Sequence, residues 1–142
     1  MFKSDCAAHG HALIQVLRDG VEIARREGRN TVVNTGKALL ANRCFSDGDQ
    51  AAIQYMQLGL GGTAANSSQT NLLTESATPA GRQTVGTVGM SGTRTAKFEK
   101  TFTASEFSAA GLREVGLFNN ALTSAGTMFA RFTFTTEQQA VA

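Results

Sequence analysis

The sequence has no tryptophan, one proline, two cysteines and only 17% charged residues. An average soluble chain has about 25% charged residues, so the low charge argues against a long disordered segment. The formal net charge is +2, which argues against the basic surface of a nucleic-acid-binding protein. No apolar run reaches the roughly 18 residues of a membrane span. We therefore expect no nucleic acid and no membrane among the partners.

The 142 residues fit one domain, because domains cluster near about 100–150 residues. A chain of this size buries enough surface to fold without cross-links. Residues 1–10 show no hydrophobic period and predict an extended N-terminal arm. Residues 11–142 predict a single domain.

Cysteine and histidine are too sparse for an obvious metal or disulfide framework. Two cysteines without a secretory signal indicate free thiols, and the apolar neighbours of Cys44 predict that it is buried. Cys6, His9 and His11 have C-x-x-H-x-H spacing, which offers three possible transition-metal ligands. We favour the alternative, an arm with incidental histidines, and expect no cofactor.

Turn residues and hydrophobic spacing organise the first third of the chain. Asp19-Gly20 between two apolar runs predicts a hairpin with a type I′ turn and strands near 11–17 and 21–27. The charged run 25–30 is interpreted as a solvated strand end or loop, with an interaction surface as the alternative. Residues 35–45 have helical spacing, in which Ala38, Ala41 and Phe45 share one apolar face with Leu40 and Cys44. Asn34 or Thr35 is the predicted cap.

The rest of the chain has strand patterns separated by turns. We predict strands within 53–60, 82–92, 94–103, 112–118 and 128–135, for a total of about seven. In the last strand the alternation points Phe132 inward and Arg131 outward. The predicted fold is mainly β, an antiparallel, jelly-roll-like β-sandwich with one short helix near 35–45. Its predicted core contains Phe98, Phe102, Leu117, Phe118, Phe132 and Phe134.

No catalytic motif stands out. Gly59-Leu60-Gly61-Gly62-Thr63 follows a predicted strand, but the helix of a phosphate-binding turn does not follow it, so we interpret the segment as a bend. Glu114 lies in an apolar segment and is predicted to be the buried partner of an arginine or lysine. Both histidines lie at the predicted arm, and no G-x-S-x-G motif occurs. We expect that the protein is not an enzyme.

Several segments together resemble a known family. Asn30-Thr31-Val32-Val33-Asn34-Thr35-Gly36 matches N-x-V-x-N-x-G, and the glycine-rich bend matches G-x-G-x-T. Further along, 70–75 matches T-x-L-x-x-E, 114–119 matches E-x-G-L-F-N and 126–131 matches G-T-M-x-x-R. Over about residues 30 to 135 the chain resembles a family of small structural proteins from the virions of tailed bacteriophages, which includes capsid decoration (cement) and head-fibre-like proteins.

The resemblance implies a β-sandwich that acts by assembly in the virion, after synthesis in the host cytoplasm. The implied partners are the major capsid protein or other virion proteins, and copies of the chain itself. We expect a capsid decoration protein and a homotrimer, since local three-fold axes are available on a capsid. A tail, baseplate or fibre component is the alternative. A carbohydrate-binding module and an enzyme rank lower.

The family pattern continues into another apolar strand where this sequence has Gln138-Gln139-Ala140-Val141-Ala142. Either the sheet lacks that strand, or the tail pairs with a neighbouring subunit. For the assembly contacts we select residues of the arm and of the charged run. These are Phe2, Lys3, His9, His11, Arg25, Arg26 and Arg29.

Overall fold

The structure is a computed structural model that describes residues 7–44, 50–77, 81–90, 92–103, 106, 111–123 and 125–137. Within these ranges the chain forms eight β-strands and one α-helix. The elements are β1 (Gly10–Arg18), β2 (Val21–Val32), α1 (Asn34–Cys44), β3 (Tyr55–Gly59), β4 (Gln83–Thr84), β5 (Thr87–Met90), β6 (Ala96–Glu99), β7 (Leu112–Phe118) and β8 (Met128–Glu137).

The strands form two antiparallel sheets. Six strands make the larger sheet in the order β1-β2-β8-β7-β3-β4, and β5 pairs with β6 in a smaller sheet. This is the mainly β, sandwich-like antiparallel fold that the alternating patterns predicted. The single helix of the described residues also lies where the sequence predicted one.

The first hairpin turns where Asp19-Gly20 predicted. Asp19 has a φ of 51° and Gly20 a φ of 79°, and a type I′ turn requires positive φ at both positions. The second strand is longer than predicted, because β2 continues to Val32. The charged run 25–30 is therefore part of a strand and not a strand end or loop.

The predicted helix cap is wrong. The Val33 carbonyl accepts the first helical bond, from the Lys37 N–H at 2.9 Å, so the residue before the helix has no capping side chain. The Asn34 N–H donates instead to the Ser67 carbonyl at 2.8 Å, and the Thr35 hydroxyl donates to a carbonyl of β8 at 3.0 Å. Bonds to neighbouring chain segments thus replace a side-chain cap.

The helix packs on the sheet through its first turns. Gly36 and Leu39 are its buried residues. A Cβ at position 36 would clash with the Phe129 carbonyl oxygen, so glycine permits the close approach of α1 to β8.

The predicted buried face of the helix is also wrong. Ala38 and Ala41 are exposed, and Cys44 is an exposed free thiol, although its apolar neighbours predicted burial. Phe45 lies outside the described residues. The close contact at Gly36 rotates the helix so that the alanine face meets solvent. No helix in the described ranges is long and apolar enough to cross a membrane.

The chain crosses from one sheet to the other after β4, where the sequence predicted one irregular strand over 82–92. The Val85 N–H donates to the Gln54 carbonyl beside β3, and the Gly86 N–H donates to the Glu99 carbonyl of β6, both at 2.8 Å. Two short strands in different sheets therefore replace the single predicted strand.

Two apolar clusters form the core. One contains Val33, Leu72, Phe118 and Met128, and the other is built on Leu58 and Leu112 with Phe102 and Phe134 beside it. Of the six predicted core residues, Phe118 and Phe132 are buried. The other four, Phe98, Phe102, Leu117 and Phe134, are only half-buried.

Candidate functional site

A buried ion pair joins the two central strands β7 and β8. The Arg131 Nε donates to the Glu114 Oε2 at 2.7 Å, and both side chains are 0% exposed. The buried ion-pair partner predicted for Glu114 is therefore confirmed. The outward direction predicted for Arg131 is wrong, because alternation along a strand assigns a residue to a face but does not show what covers that face.

Backbone amides from two parts of the connection between β3 and β4 complete the hydrogen bonding of the Glu114 carboxylate. Its Oε1 accepts from the N–H groups of Gly61 and Thr74, each at 2.9 Å, and its Oε2 accepts from the Leu73 N–H at 3.2 Å. A buried charge needs such partners, because an unpaired one is very costly in a low-dielectric interior.

The glycine-rich segment after β3 covers the Arg131 guanidinium. Arg131 donates to the carbonyls of Thr63 at 3.0 Å and Gly61 at 3.3 Å, and to the Gln69 Oε1 at 2.9 Å. A Cβ at position 61 would lie 2.5 Å from the Glu114 Oε1. Glycine is thus needed here for close approach to the ion pair, and the segment serves the fold.

A second ion pair lies against the apolar core. The Arg82 side chain is 0% exposed and donates to the Glu75 Oε1 at 2.7 Å. Its guanidinium carbon lies 3.5 Å from the centroid of the Phe118 ring, within the range of a cation–π contact. The same guanidinium donates to the carbonyl of Ala125 at 2.8 Å. Through this hydrogen bond Arg82 connects the loop after β7 with the loop before β4.

The residues on which the family resemblance depends meet at these two ion pairs. Glu114, Arg131 and Glu75 come from three different motifs, and the Asn119 Oδ1 of one motif accepts from the Thr127 N–H of another at 2.6 Å. The Glu114 and Arg131 side chains are closed to solvent and cannot touch a substrate, and the Glu75 side chain is only 14% exposed and paired with Arg82. The motif residues therefore hold the fold together, and the candidate contact surface lies elsewhere.

That surface is the hairpin formed by β1 and β2. The two strands pair over nine positions, from Gly10↔Asn30 to Arg18↔Val21. β2 pairs with β8 only through Thr31 and Val32. The ribbon before Thr31 has therefore no further strand partner among the described residues.

The register places eight exposed side chains on one face of the hairpin, which we call the outward face. Leu13 is 45% exposed and Leu17 is 57% exposed. Apolar side chains on this face alternate with polar and basic ones. Its members are His11, Leu13, Gln15, Leu17, Glu22, Arg25, Glu27 and Arg29.

The structure brings three of the predicted assembly contacts together. His11 pairs with Arg29 in the register, and Gln15 pairs with Arg25, so both arginines share the outward face with His11. His9 is exposed just before β1. Together with Lys37, the residues His9, His11 and Arg29 line one concave surface.

The other predicted contacts do not join this face. Arg26 is half-buried and lies on the opposite face of the hairpin, opposite Ile14. There it lines a groove with Phe132 and Phe134, whose rings stack with centroids 6.0 Å apart. Sequence reasoning missed this groove, because it forms only where β2 and β8 diverge. Phe2 and Lys3 lie outside the described residues.

The two arginines of the outward face differ in their ion pairing. Arg25 lies 3.2 Å from the Glu27 carboxylate and 3.7 Å from that of Glu22. Among the described residues no carboxylate lies within 4.0 Å of the Arg29 guanidinium. Arg29 is thus the residue of this face whose positive charge is available to a partner.

Glu106 is a strongly perturbed acid outside the hairpin. Hydrogen bonds from the Thr103 backbone, from Lys100 and from the Thr103 hydroxyl lower the pKa of Glu106 to about 2. A carboxyl group with this pKa is ionised near neutral pH and holds no proton to donate there. Its role is to accept hydrogen bonds in a local turn.

The described ranges contain no group of three residues suited to hold a metal. Cys6 of the C-x-x-H-x-H segment lies outside those ranges. Comparison of the chain with protein-family models, curated proteins and solved structures found no match.

Proposed function

We propose that this chain is a non-enzymatic structural protein of a bacteriophage virion, which binds the outside of the head as a decoration protein. Its partner is the major capsid protein, and its copies act together as a homotrimer. Binding would come from buried surface and not from chemistry, and many copies on one shell would add avidity.

The observation that supports this proposal most is the outward face of the β1–β2 hairpin. Two-stranded ribbons are marginally stable in water, and this one presents Leu13 and Leu17 to solvent. A partner that covered the face would bury both side chains, at about 25 cal/mol per Å² of apolar area. An assembly protein benefits from such a face, since the ribbon becomes stable where it is bound.

Charge on the hairpin supports an acidic partner surface. Arg29 and Lys37 place their positive charges on one concave surface, which His9 and His11 also line. Opposite charge on a capsid would orient the protein as it docks, because complementary potentials favour encounter and register. A stable contact also needs a standard interface of roughly 1,200–2,000 Å², so the apolar residues must take part.

The carbohydrate-binding alternative gains no support from the aromatic residues. Tyr55 is the only tyrosine and tryptophan is absent. Tyr55 is half-buried against the core cluster around Phe118. It is therefore poorly placed as a stacking platform for sugars. A glycan array without binding would remove this alternative.

Immunogold labelling of the virions whose genome encodes this chain tests the proposal. Label over the head, together with binding of the purified protein to empty capsids, is the expected result. Label confined to the tail, baseplate or fibres would replace decoration by the second role in the virion. Particles without label would overturn the virion role itself.

A variant separates docking by the hairpin from non-specific adhesion. We expect Leu13→Ser with Leu17→Ser to weaken capsid binding, because it removes the two exposed leucines of the outward face. Val88→Ser is the matched control, since Val88 is 52% exposed on the smaller sheet. Equal binding by the two variants would contradict docking through the hairpin.

A further inference from the structure

Within the part of the chain that the structure describes, the outer edge of β1 is an open strand edge. β1 lies at one end of the six-stranded sheet and pairs only with β2. Its other side has no strand partner among the described residues. Backbone N–H and C=O groups on such an edge can pair with another strand. The opposite end of the sheet is β4, which has only two residues.

β1 lacks the features that keep edge strands apart in monomeric proteins. Natural edges are protected by charged side chains, proline, bulges or short length. β1 has nine residues, Gly-His-Ala-Leu-Ile-Gln-Val-Leu-Arg, without proline and without Lys, Asp or Glu. Its one arginine is the last residue, and the register shifts only near the turn, between Val16 and Leu17.

Charge in the hairpin is concentrated on β2, whose second edge before Thr31 also has no strand partner among the described residues. β2 contains Glu22, Arg25, Arg26, Glu27 and Arg29, and charged side chains of this kind protect a strand edge from association. β1 has no such protection before Arg18. The distribution therefore favours pairing along β1.

We propose that β1 pairs antiparallel with β1 of a second copy across a two-fold axis, so that the two hairpins form one four-stranded sheet. An isologous contact requires a surface that is complementary to itself. The stretch before Arg18 carries no lysine, arginine or carboxylate, so two copies approach without like-charge repulsion. In a pairing centred near Ile14, each Arg18 lies opposite the uncharged Gly10 end of the other strand.

Pairing also removes the weakness of the isolated ribbon. Three or more strands with an apolar face are needed for independent stability, and two hairpins joined through β1 supply four. On one face of the four-stranded sheet, the side chains of Ala12, Ile14 and Val16 would lie beside the same residues of the second copy. On the outward face, Leu13 and Leu17 would do the same. This contact uses the strand edge, so the outward face stays available to a capsid.

The two-fold contact goes beyond the proposed virion role and does not depend on it. If copies also associate as trimers, it links one trimer to the next. The test uses the purified chain in solution, so its failure leaves the virion labelling result unaffected.

Mass measurement with an edge-blocking variant is the first test. Leu13→Lys places a charge on the open edge, at a side chain that is already 45% exposed. We expect the mass from light scattering at about 50 μM to fall by half, as the dimer dissociation constant rises at least tenfold. Val88→Lys, on the smaller sheet, should keep the wild-type mass. Equal masses for Leu13→Lys and wild type would overturn the proposal.

Cysteine scanning gives a second, geometric test. Single cysteines replace His11, Leu13, Gln15 and Leu17 in a background with Cys6→Ser and Cys44→Ser. In antiparallel two-fold pairing, copies of one residue separate by about 6.6 Å per residue from the axis, twice the strand rise. Disulfide-linked dimer should therefore peak at position 13 or 15 and fall at 11 and 17. A flat profile would overturn the antiparallel pairing.

Discussion

Charged residues are buried in the body of the larger sheet, which is formed by β8, β7, β3 and β4, but exposed in the β1–β2 hairpin. In the body, Glu114 and Arg131 are 0% exposed and bonded to each other at 2.7 Å. In the hairpin, Arg25 and Glu27 form their pair at 3.2 Å with side chains 47% and 52% exposed. Both are ion pairs, but only the buried one connects two different strands, whereas Arg25 and Glu27 both belong to β2.

The difference distinguishes the region whose ion pair stabilises the fold from the region whose side chains can contact a partner. A buried pair with complete hydrogen bonding fixes the arrangement of strands and loops around it, and breaking it leaves a charge in the interior. An exposed pair contributes little because water screens it. The body is therefore specified by internal bonds, whereas the hairpin keeps its side chains available to a partner.

The sharpest test of this comparison is the same substitution in both regions. Glu114→Gln should lower the free energy of unfolding by about 3–5 kcal/mol, because Arg131 is left as a buried, unpaired charge. Glu27→Gln should change it by less than about 1 kcal/mol, since its partner stays solvated. Urea denaturation measures both. Similar losses for the two variants would contradict the distinction between body and hairpin.

A glycine substitution tests the contact between helix and sheet. Gly36→Ala should destabilise the protein by about 1–3 kcal/mol, because the added Cβ meets the Phe129 carbonyl oxygen and forces a backbone shift. Gly89→Ala is the control, since a Cβ there meets nothing within 4 Å. Thermal unfolding with Tm unchanged in Gly36→Ala would show that the helix adjusts without cost.

Hydrogen exchange compares the two regions through their backbone amides. Amides of β7 should exchange only through global unfolding, because β7 has a partner strand on each side. Amides of β1 should exchange at least tenfold faster through local opening. The Leu13→Lys variant is the sample for this measurement, so that association through β1 does not protect the amides. Equal protection in both strands would show that the hairpin folds as part of the body.

The smallest effect on stability is expected at the two arginines of the outward face. Arg29→Ala and Arg25→Ala should each alter stability by less than about 0.5 kcal/mol. Capsid binding should differ between the two variants, because Arg25 already forms ion pairs with Glu22 and Glu27. We expect Arg29→Ala to weaken binding more. A larger loss from Arg25→Ala, in the same binding assay, would reverse this order.

Local signals were sufficient for much of the architecture. Asp19-Gly20 predicted the first turn, because few residues accept two successive positive φ values. A short run closed by Asn119-Asn120 predicted β7 with its observed bounds, 112–118, and an alternating pattern predicted most of β8. These features depend on neighbours within a few residues, so the amino-acid sequence alone is sufficient to predict them.

Tertiary contacts decided which polar residues are buried and which apolar ones are exposed. Arg131 alternates with apolar residues and was predicted to face solvent, but loop atoms from Gly61, Thr63 and Gln69 cover it. Cys44 is exposed despite its apolar neighbours, because the helix packs on the sheet through its first turns, at Gly36 and Leu39, and Cys44 is its last residue. Sequence periodicity states which residues share a face, and only the packing of distant segments determines whether that face meets water.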